Sequence, residues 1–177
     1  MIIKPSIRSN VFLNAHPKGI QAYIQTLFHE AQSFQKFKGP KNVLIIGGSS
    51  GYGLASRVAL AVSSGANTLN VSFEGAPSDK RTGTAGFWNN VYFLEEANKL
   101  GTKHIDVVAD AFSETTKKEV IARIKKEFGK IDLVIYSLAA GARPNPETGD
   151  LVRSALKPIG EPLDGDTIDV ATKSLKP

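Results

Sequence analysis

The chain has 177 residues, 41% hydrophobic and 22% charged, which suits one globular domain with a real core. It contains no cysteine, which excludes disulfides, thiolate catalysis and cysteine-ligated metals and makes a reducing cytoplasm the simplest home. The formal charge of +5 suits an anionic ligand, yet the lysines at 36, 38, 41, 117, 118, 125 and 126 are scattered and not interleaved with aromatics. They read as a solvated surface, with no support for nucleic-acid binding.

The opening Met1-Ile2-Ile3-Lys4-Pro5 lacks the apolar region of a signal peptide, and no run of about 18 apolar residues predicts a membrane span. Short apolar runs at Ile2-Ile3 and Val11-Phe12-Leu13 predict small strands. A helix follows Pro17, with Ile20, Tyr23, Ile24, Leu27 and Phe28 on one face. Gly39-Pro40 then punctuates, so residues 1–40 are expected to form an extension packing on the main domain.

From Asn42 the pattern is regular. Val43-Leu44-Ile45-Ile46 is a continuous apolar run, as in a strand buried on both faces of a parallel sheet. A glycine turn and a helix to about Gly65 follow. Thr68 to Glu74 alternates like a strand, and a Gly-rich polar loop runs from Gly75 to Gly86. A helix from about Phe87 to Leu100 stops at Gly101. Ile105 to Ala109 is a third strand. Ser113 to Phe128 is an amphipathic helix with Val120, Ile121 and Ile124 inward, and Leu133 to Leu138 is a fourth strand. Three strand–helix alternations predict an α/β fold, a Rossmann-type doubly wound parallel sheet over residues 41–140. Residues 141–177 read as a tail, with a hairpin starting near Leu151 to Leu156 and no clear element towards Lys176-Pro177.

The most informative segment is Gly47-Gly48-Ser49-Ser50-Gly51-Tyr52-Gly53. It follows a buried strand and opens a helix, the context that a dinucleotide loop requires. Glycines let the backbone approach a pyrophosphate, and the helix N-terminus offers free N–H groups. The spacing is G-x-x-x-G-x-G, as in short-chain dehydrogenases/reductases, and no lysine follows as a nucleoside triphosphatase would need.

Ligands of open α/β sheets bind beyond the carboxyl ends of the strands. Glu74 closes the second strand, about 20 residues after the glycines, where a carboxylate bonds ribose hydroxyls and repels a 2′-phosphate. That favours NADH over NADPH, although Lys80 and Arg81 lie near enough in sequence to offset the repulsion. Asp110-Ala111 closes the third strand. Two roles stay open for Asp110: accepting a bond from an adenine amino group, or capping the helix that begins near Ser113. Ser137-Leu138-Ala139 closes the fourth, small enough to leave room for a cofactor. His16, His29 and His104 are isolated, without metal-ligand spacing, and read as surface or capping residues, so no metal site is predicted. Arg143 reads as a solvated loop arginine or a contact for a coenzyme A phosphate.

Taken together, several runs resemble one family. They are Val43 to Ala55, Met1 to Pro5, His16-Pro17, Phe73-Glu74, Gly83-Thr84-Ala85-Gly86 with Asn89, Asp110-Ala111-Phe112-Ser113, Tyr136-Ser137-Leu138-Ala139 and Leu156-Lys157-Pro158-Ile159-Gly160. The chain is similar, over nearly its whole length and in the same order, to the N-terminal part of the single-chain trans-2-enoyl-CoA reductases, which also serve as bacterial enoyl-ACP reductases. The resemblance implies reduction of enoyl-CoA or enoyl-ACP thioesters by NADH in fatty acid synthesis. Gly47 to Tyr52 would hold the pyrophosphate, Phe73-Glu74 the adenosine ribose and Asp110-Ala111 the adenine. Leu138-Ala139 would lie beside the bound cofactor.

The family's catalytic tyrosine and lysine lie beyond the point where this chain stops. None of Tyr23, Tyr52, Tyr92 and Tyr136 has a lysine at the family's spacing. Tyr92 and Lys99 match a related class, but on the helix beside the adenosine half. No residue is therefore assigned to catalysis, and the chain is expected to be a fragment whose uncovered flank favours self-association. Two rival readings are a non-catalytic dinucleotide-binding domain and an S-adenosylmethionine-dependent methyltransferase. The second usually carries an acidic residue just before the first glycine, where this chain has Ile45-Ile46.

Overall fold

The computed structural model describes residues 3, 7–8, 11–12, 15–153, 160, 165–169 and 172–176. After a short antiparallel pair, β1 (Ile7–Arg8) and β2 (Val11–Phe12), comes helix α1 (Pro17–Ser33). The central elements are β3 (Asn42–Ile46), α2 (Gly51–Ala59), β4 (Asn67–Ser72), α3 (Ala85–Ala97), β5 (His104–Val108), α4 (Glu114–Glu127) and β6 (Leu133–Tyr136). β3, β4, β5 and β6 form one parallel sheet in the order β5-β4-β3-β6, a Rossmann-like α/β arrangement. The chain thus winds outward from β3 to β5 and then crosses back to β6. The crevice at the carboxyl ends of β3 and β6 is the topological switch point.

Both faces of the sheet are covered. Val43 and Ile45 point to the side of α2 and α3 and are fully buried. Leu69, Val71 and Val107 point the other way and pack on Val120 of α4. Each such side chain contributes about 1.5–3 kcal/mol by leaving water. α1 adds a layer: Ile24, Phe28 and Ala31 join Leu54, Val58 and Phe93, with the rings of Phe28 and Phe93 5.4 Å apart. Pro17 opens α1, and His16 caps it by accepting the Gly19 N–H on Nδ1 at 3.1 Å.

Several sequence expectations need correction. α3 starts at Ala85, two residues early, because Thr84 caps it by accepting the Phe87 N–H at 3.2 Å. The β4 ladder ends at Ser72, so Phe73 and Glu74 lie beyond the pairing. β6 ends at Tyr136, although the Ser137 N–H still donates to Ile46 O. The helix after the glycine turn finishes in a π turn, Leu60–Ser64, before Gly65 closes it at positive φ. Tyr23 and Ile121, expected inward, are both about half exposed. Past β6, β7 (Ala142–Pro144) pairs with β8 (Leu151–Arg153), and β9 (Thr167–Asp169) pairs with β10 (Ser174–Lys176) where no element was expected. Ile3 is in no strand, while Met1, Ile2, Lys4, Pro5 and Leu13 lie outside the described residues. So do Ser154 to Ile159, the rest of the expected hairpin and most of the Leu156-to-Gly160 motif. No helix among the described residues is long and apolar enough to cross a membrane.

Candidate functional site

The turn between β3 and α2 sits at the switch point. Gly47 has φ +93° and donates to Val71 O at 2.8 Å. A Cβ on Gly47 would land on the Ser137 carbonyl, and one on Gly53 would land on the Gly47 carbonyl. The ends of β3 and β6 and the first turn of α2 therefore meet backbone to backbone, a closeness only glycine permits. Gly51, at φ +53°, faces open space. Ser50 caps α2 with extended backbone but makes no side-chain bond to it. The first N–H groups of α2 carry the positive end of its dipole and have no side-chain cap. Tyr52, in that first turn, is almost fully exposed.

Glu74 lies beside this turn. One carboxylate oxygen accepts from the Ser49 hydroxyl at 2.5 Å and the other from the Thr84 hydroxyl. The carboxylate rests on Gly86 in the first turn of α3, where a Cβ would overlap it. Thr84 also accepts the Gly75 N–H at 3.2 Å. Glu74 is thus held in place by the turn on one side and by the start of α3 on the other.

Phe73, Asp110, Ala111, Leu138 and Ala139 line one cleft of about 370 Å³, with Arg143 at its rim. Leu138 belongs to both regions, since its side chain also packs where a Gly47 Cβ would stand. Asp110 accepts the Phe112 N–H at 2.9 Å, while the helix cap Ser113 makes no side-chain bond. Asp110 thus closes the turn before α4 and does not bond the helix itself. Arg143 stands over the Phe112 ring, 5.1 Å from its centre, on β7 and not in a free loop. Tyr92 stacks on Trp88 and Lys99 pairs with Glu96, so neither faces the cleft.

Sequence reasoning missed the layer beneath the turn. Arg57 of α2 is fully buried, 2.9 Å from Asp106 of β5, with its guanidinium 3.8 Å above the Phe93 ring centre. It donates through Nε to Thr68 at 3.2 Å and through Nη1 to Asn90 at 3.4 Å. Asn70 of β4 donates to Asp106 at 2.8 Å and to Asn90 at 3.1 Å, and accepts the Gly48 N–H at 2.8 Å. Asn90 donates to Ser72 at 3.0 Å, and Asn89 donates to Ser49 O at 2.8 Å. Burial lowers the pKa of Arg57, opposed by the charge and hydrogen bond of Asp106. His104, expected to be a surface or capping residue, is half-buried here, bonded to Thr68 at 2.9 Å and Thr102 at 2.7 Å. Burial, then the charge of Arg57, pulls its pKa down to about 4. A signal was available: Thr68, Asn70 and Ser72 alternate with apolar residues inside a strand that is buried on both faces.

Comparison with known proteins gives two family matches. Residues 2–79 match the NAD(P)H binding domain of trans-2-enoyl-CoA reductase, and residues 81–177 match the trans-2-enoyl-CoA reductase catalytic region. The chain is 46% identical over 179 aligned positions to enoyl-acyl-carrier-protein reductase (NADH) 2 of Photobacterium profundum, covering 99% of this chain and 45% of that protein. It is 45% identical to trans-2-enoyl-CoA reductase (NADH) of Clostridium beijerinckii, covering 99% and 44%. Among solved structures, the Clostridium acetobutulicum trans-2-enoyl-CoA reductase in complex with NADH superposes with a TM-score of 0.86 at 41% identity, over 99% of this chain and 44% of that one. The Treponema denticola trans-2-enoyl-CoA reductase in complex with NAD gives 0.83 at 42% identity, over 99% and 46%. The chain spans less than half the length of the relatives it matches.

Proposed function

The chain belongs to the trans-2-enoyl-CoA reductase family, and on that premise we propose that it forms the NADH-binding portion of an oxidoreductase acting on trans-2-enoyl thioesters in fatty acid synthesis, carried on coenzyme A or on acyl carrier protein. One observation carries the reading. The turn at 47–53 has no room for side chains on its inner side, while Gly51 and the first N–H groups of α2 open outward.

A pyrophosphate fits that geometry. The N–H groups from Ser50 to Gly53 hold it, helped by the dipole of α2, and Gly47 and Gly48 keep the backbone low enough for the approach. Glu74, fixed by Ser49 and Thr84, faces the adenosine ribose and repels a 2′-phosphate. Phe73, Asp110 and Ala111 would wall the adenosine side and Leu138 and Ala139 the nicotinamide side of the cleft they share, with Ser137 backing Gly47 through its carbonyl. When bound, NADH supplies the hydride. This chain's residues bind and orient it; none of them is assigned to protonate the substrate.

A calorimetric titration with NADH, NADPH and S-adenosylmethionine tests the reading. Binding of NADH in preference to NADPH, with the gap narrowed in Glu74→Ala, is expected. Binding of S-adenosylmethionine alone, or of no nucleotide by a folded sample, would overturn it.

A further inference from the structure

We propose that Asn70 is the positioning residue of the glycine turn, its orientation imposed from Arg57 through Asp106 and Asn90, so that the turn holds its pyrophosphate-receiving shape before any ligand arrives. The inference rests on the cofactor reading above and adds what shapes the site from below.

Hydrogen-bond polarity carries the argument. A guanidinium has only donors, so the oxygens of Asp106 and Asn90 must face Arg57. Those same two oxygens then demand a donor from β4, and the Asn70 amide group is what meets them, at 2.8 and 3.1 Å. That leaves the Asn70 carbonyl pointing the opposite way, at the Gly48 N–H, 2.8 Å away. Asn70 is fully buried, out of reach of bulk solvent. Gly48 is pressed against it so closely that a Cβ would stand 2.6 Å from the Asn70 oxygen. The Gly48 N–H is thereby turned inward, and the turn is held at consecutive residues: Gly47 by Val71 O, Gly48 by Asn70, and Ser49 by Asn89 and Glu74. A loop held in its binding shape loses less conformational entropy on binding, which is the advantage of preorganisation.

The test uses the full chain in three variants. Asn70→Leu removes both ends of the link. Asn70→Asp keeps an acceptor for Gly48 but replaces the donor that meets Asp106 and Asn90 with a second oxygen. Ile124→Ala loosens the packing of α4 on the opposite face of the sheet as a stability control. Gly48 amide exchange is followed by NMR without ligand, and NADH binding by fluorescence titration. In the wild type the Gly48 amide is expected to be protected. Asn70→Leu should expose it and weaken NADH binding about tenfold, the usual cost of orphaning one buried donor. Asn70→Asp, with oxygen set against the Asp106 and Asn90 oxygens, should lose both in the same way, and Ile124→Ala should change neither. Unchanged NADH affinity in folded Asn70→Leu or Asn70→Asp, or an equal loss in Ile124→Ala, would overturn the proposal. If the wild type bound no NADH, the cofactor reading would fall, and Gly48 exchange alone would still judge the clamp: equal exchange rates in wild type and Asn70→Leu would sink it.

Discussion

The Ser49 hydroxyl donates to the Glu74 carboxylate across 2.5 Å, joining the turn after β3 to the end of β4. Because Thr84 holds the other oxygen, the Glu74 side chain is fixed before it meets anything from solvent. Gly86 lies directly beneath. Alanine in a helix is ordinarily worth up to about 1 kcal/mol over glycine. Gly86→Ala should therefore leave thermal stability near the wild-type value while pushing the carboxylate aside. A shrunken preference for NADH over NADPH in parallel titrations is the expected result; an unchanged preference would show that Glu74 does not set it.

Gly47 and Gly51 both have positive φ but different surroundings, so they should respond differently to alanine. Gly51→Ala meets only backbone strain, about 1 kcal/mol. Gly47→Ala adds a collision with the Ser137 backbone and should cost about 3 kcal/mol or more, with loss of NADH binding. Urea midpoints of the two variants decide this, and equal shifts would contradict the contact.

Arg57 and Asp106 are a buried pair, and removing one partner strands the other. Arg57→Met should lose about 3–5 kcal/mol in denaturant unfolding, and adding Asp106→Leu should return part of it. A double variant no more stable than the single one would mean that the rest of the layer cannot tolerate an apolar pair.

His104 gives a pH signature. Its folded pKa is about 4 against 6.5 in the unfolded chain, so between those values the unfolded state binds more protons. Stability should therefore fall as pH drops from about 6.5 towards 4. After discounting for the half-exposed ring, the loss is about 2 kcal/mol. Glu114, Glu127 and Asp132, all with lowered pKa, act in the same direction at the acid end. Comparison with His104→Gln isolates the imidazole: the variant should show a flatter profile over this window, and parallel curves would assign the loss elsewhere.

β6 is an edge strand with no outer neighbour among the described residues, and Val134 and Tyr136 are more than half exposed on it. Such an edge offers free backbone groups to another strand. We expect the mass seen in sedimentation to rise with concentration and Val134→Lys to suppress the rise. Monomeric mass throughout would contradict this.

The central fold was legible because each central strand is a short apolar or alternating run and each helix is punctuated by glycine. The glycine turn was legible because its function constrains backbone shape, and backbone shape constrains residue type. The polar layer was not. Asn90, Asp106 and Arg57 each look like an ordinary surface residue in sequence, and the alternation around Asn70 marks it as unusual without naming its partners. Only the register of β4 against β5, pairing Asn70 with Asp106, reveals that they share one buried plane. Strand ends were overread for a related reason: Phe73, Glu74 and Leu138 continue the alternation of their strands, but the ladders stop at Ser72 and Tyr136.

The clamp also has a consequence in time. Gly48 leaves the ribosome well before Asp106, yet Asn70 is oriented only when β5 is docked and Asp106 stands opposite Arg57. The clamp therefore predicts a turn that is early in the chain and late in the fold. In pulse-labelled refolding, Gly48 should gain protection together with β5 and after β3. A Gly48 that gained protection before β5 would instead show that the turn forms without the clamp.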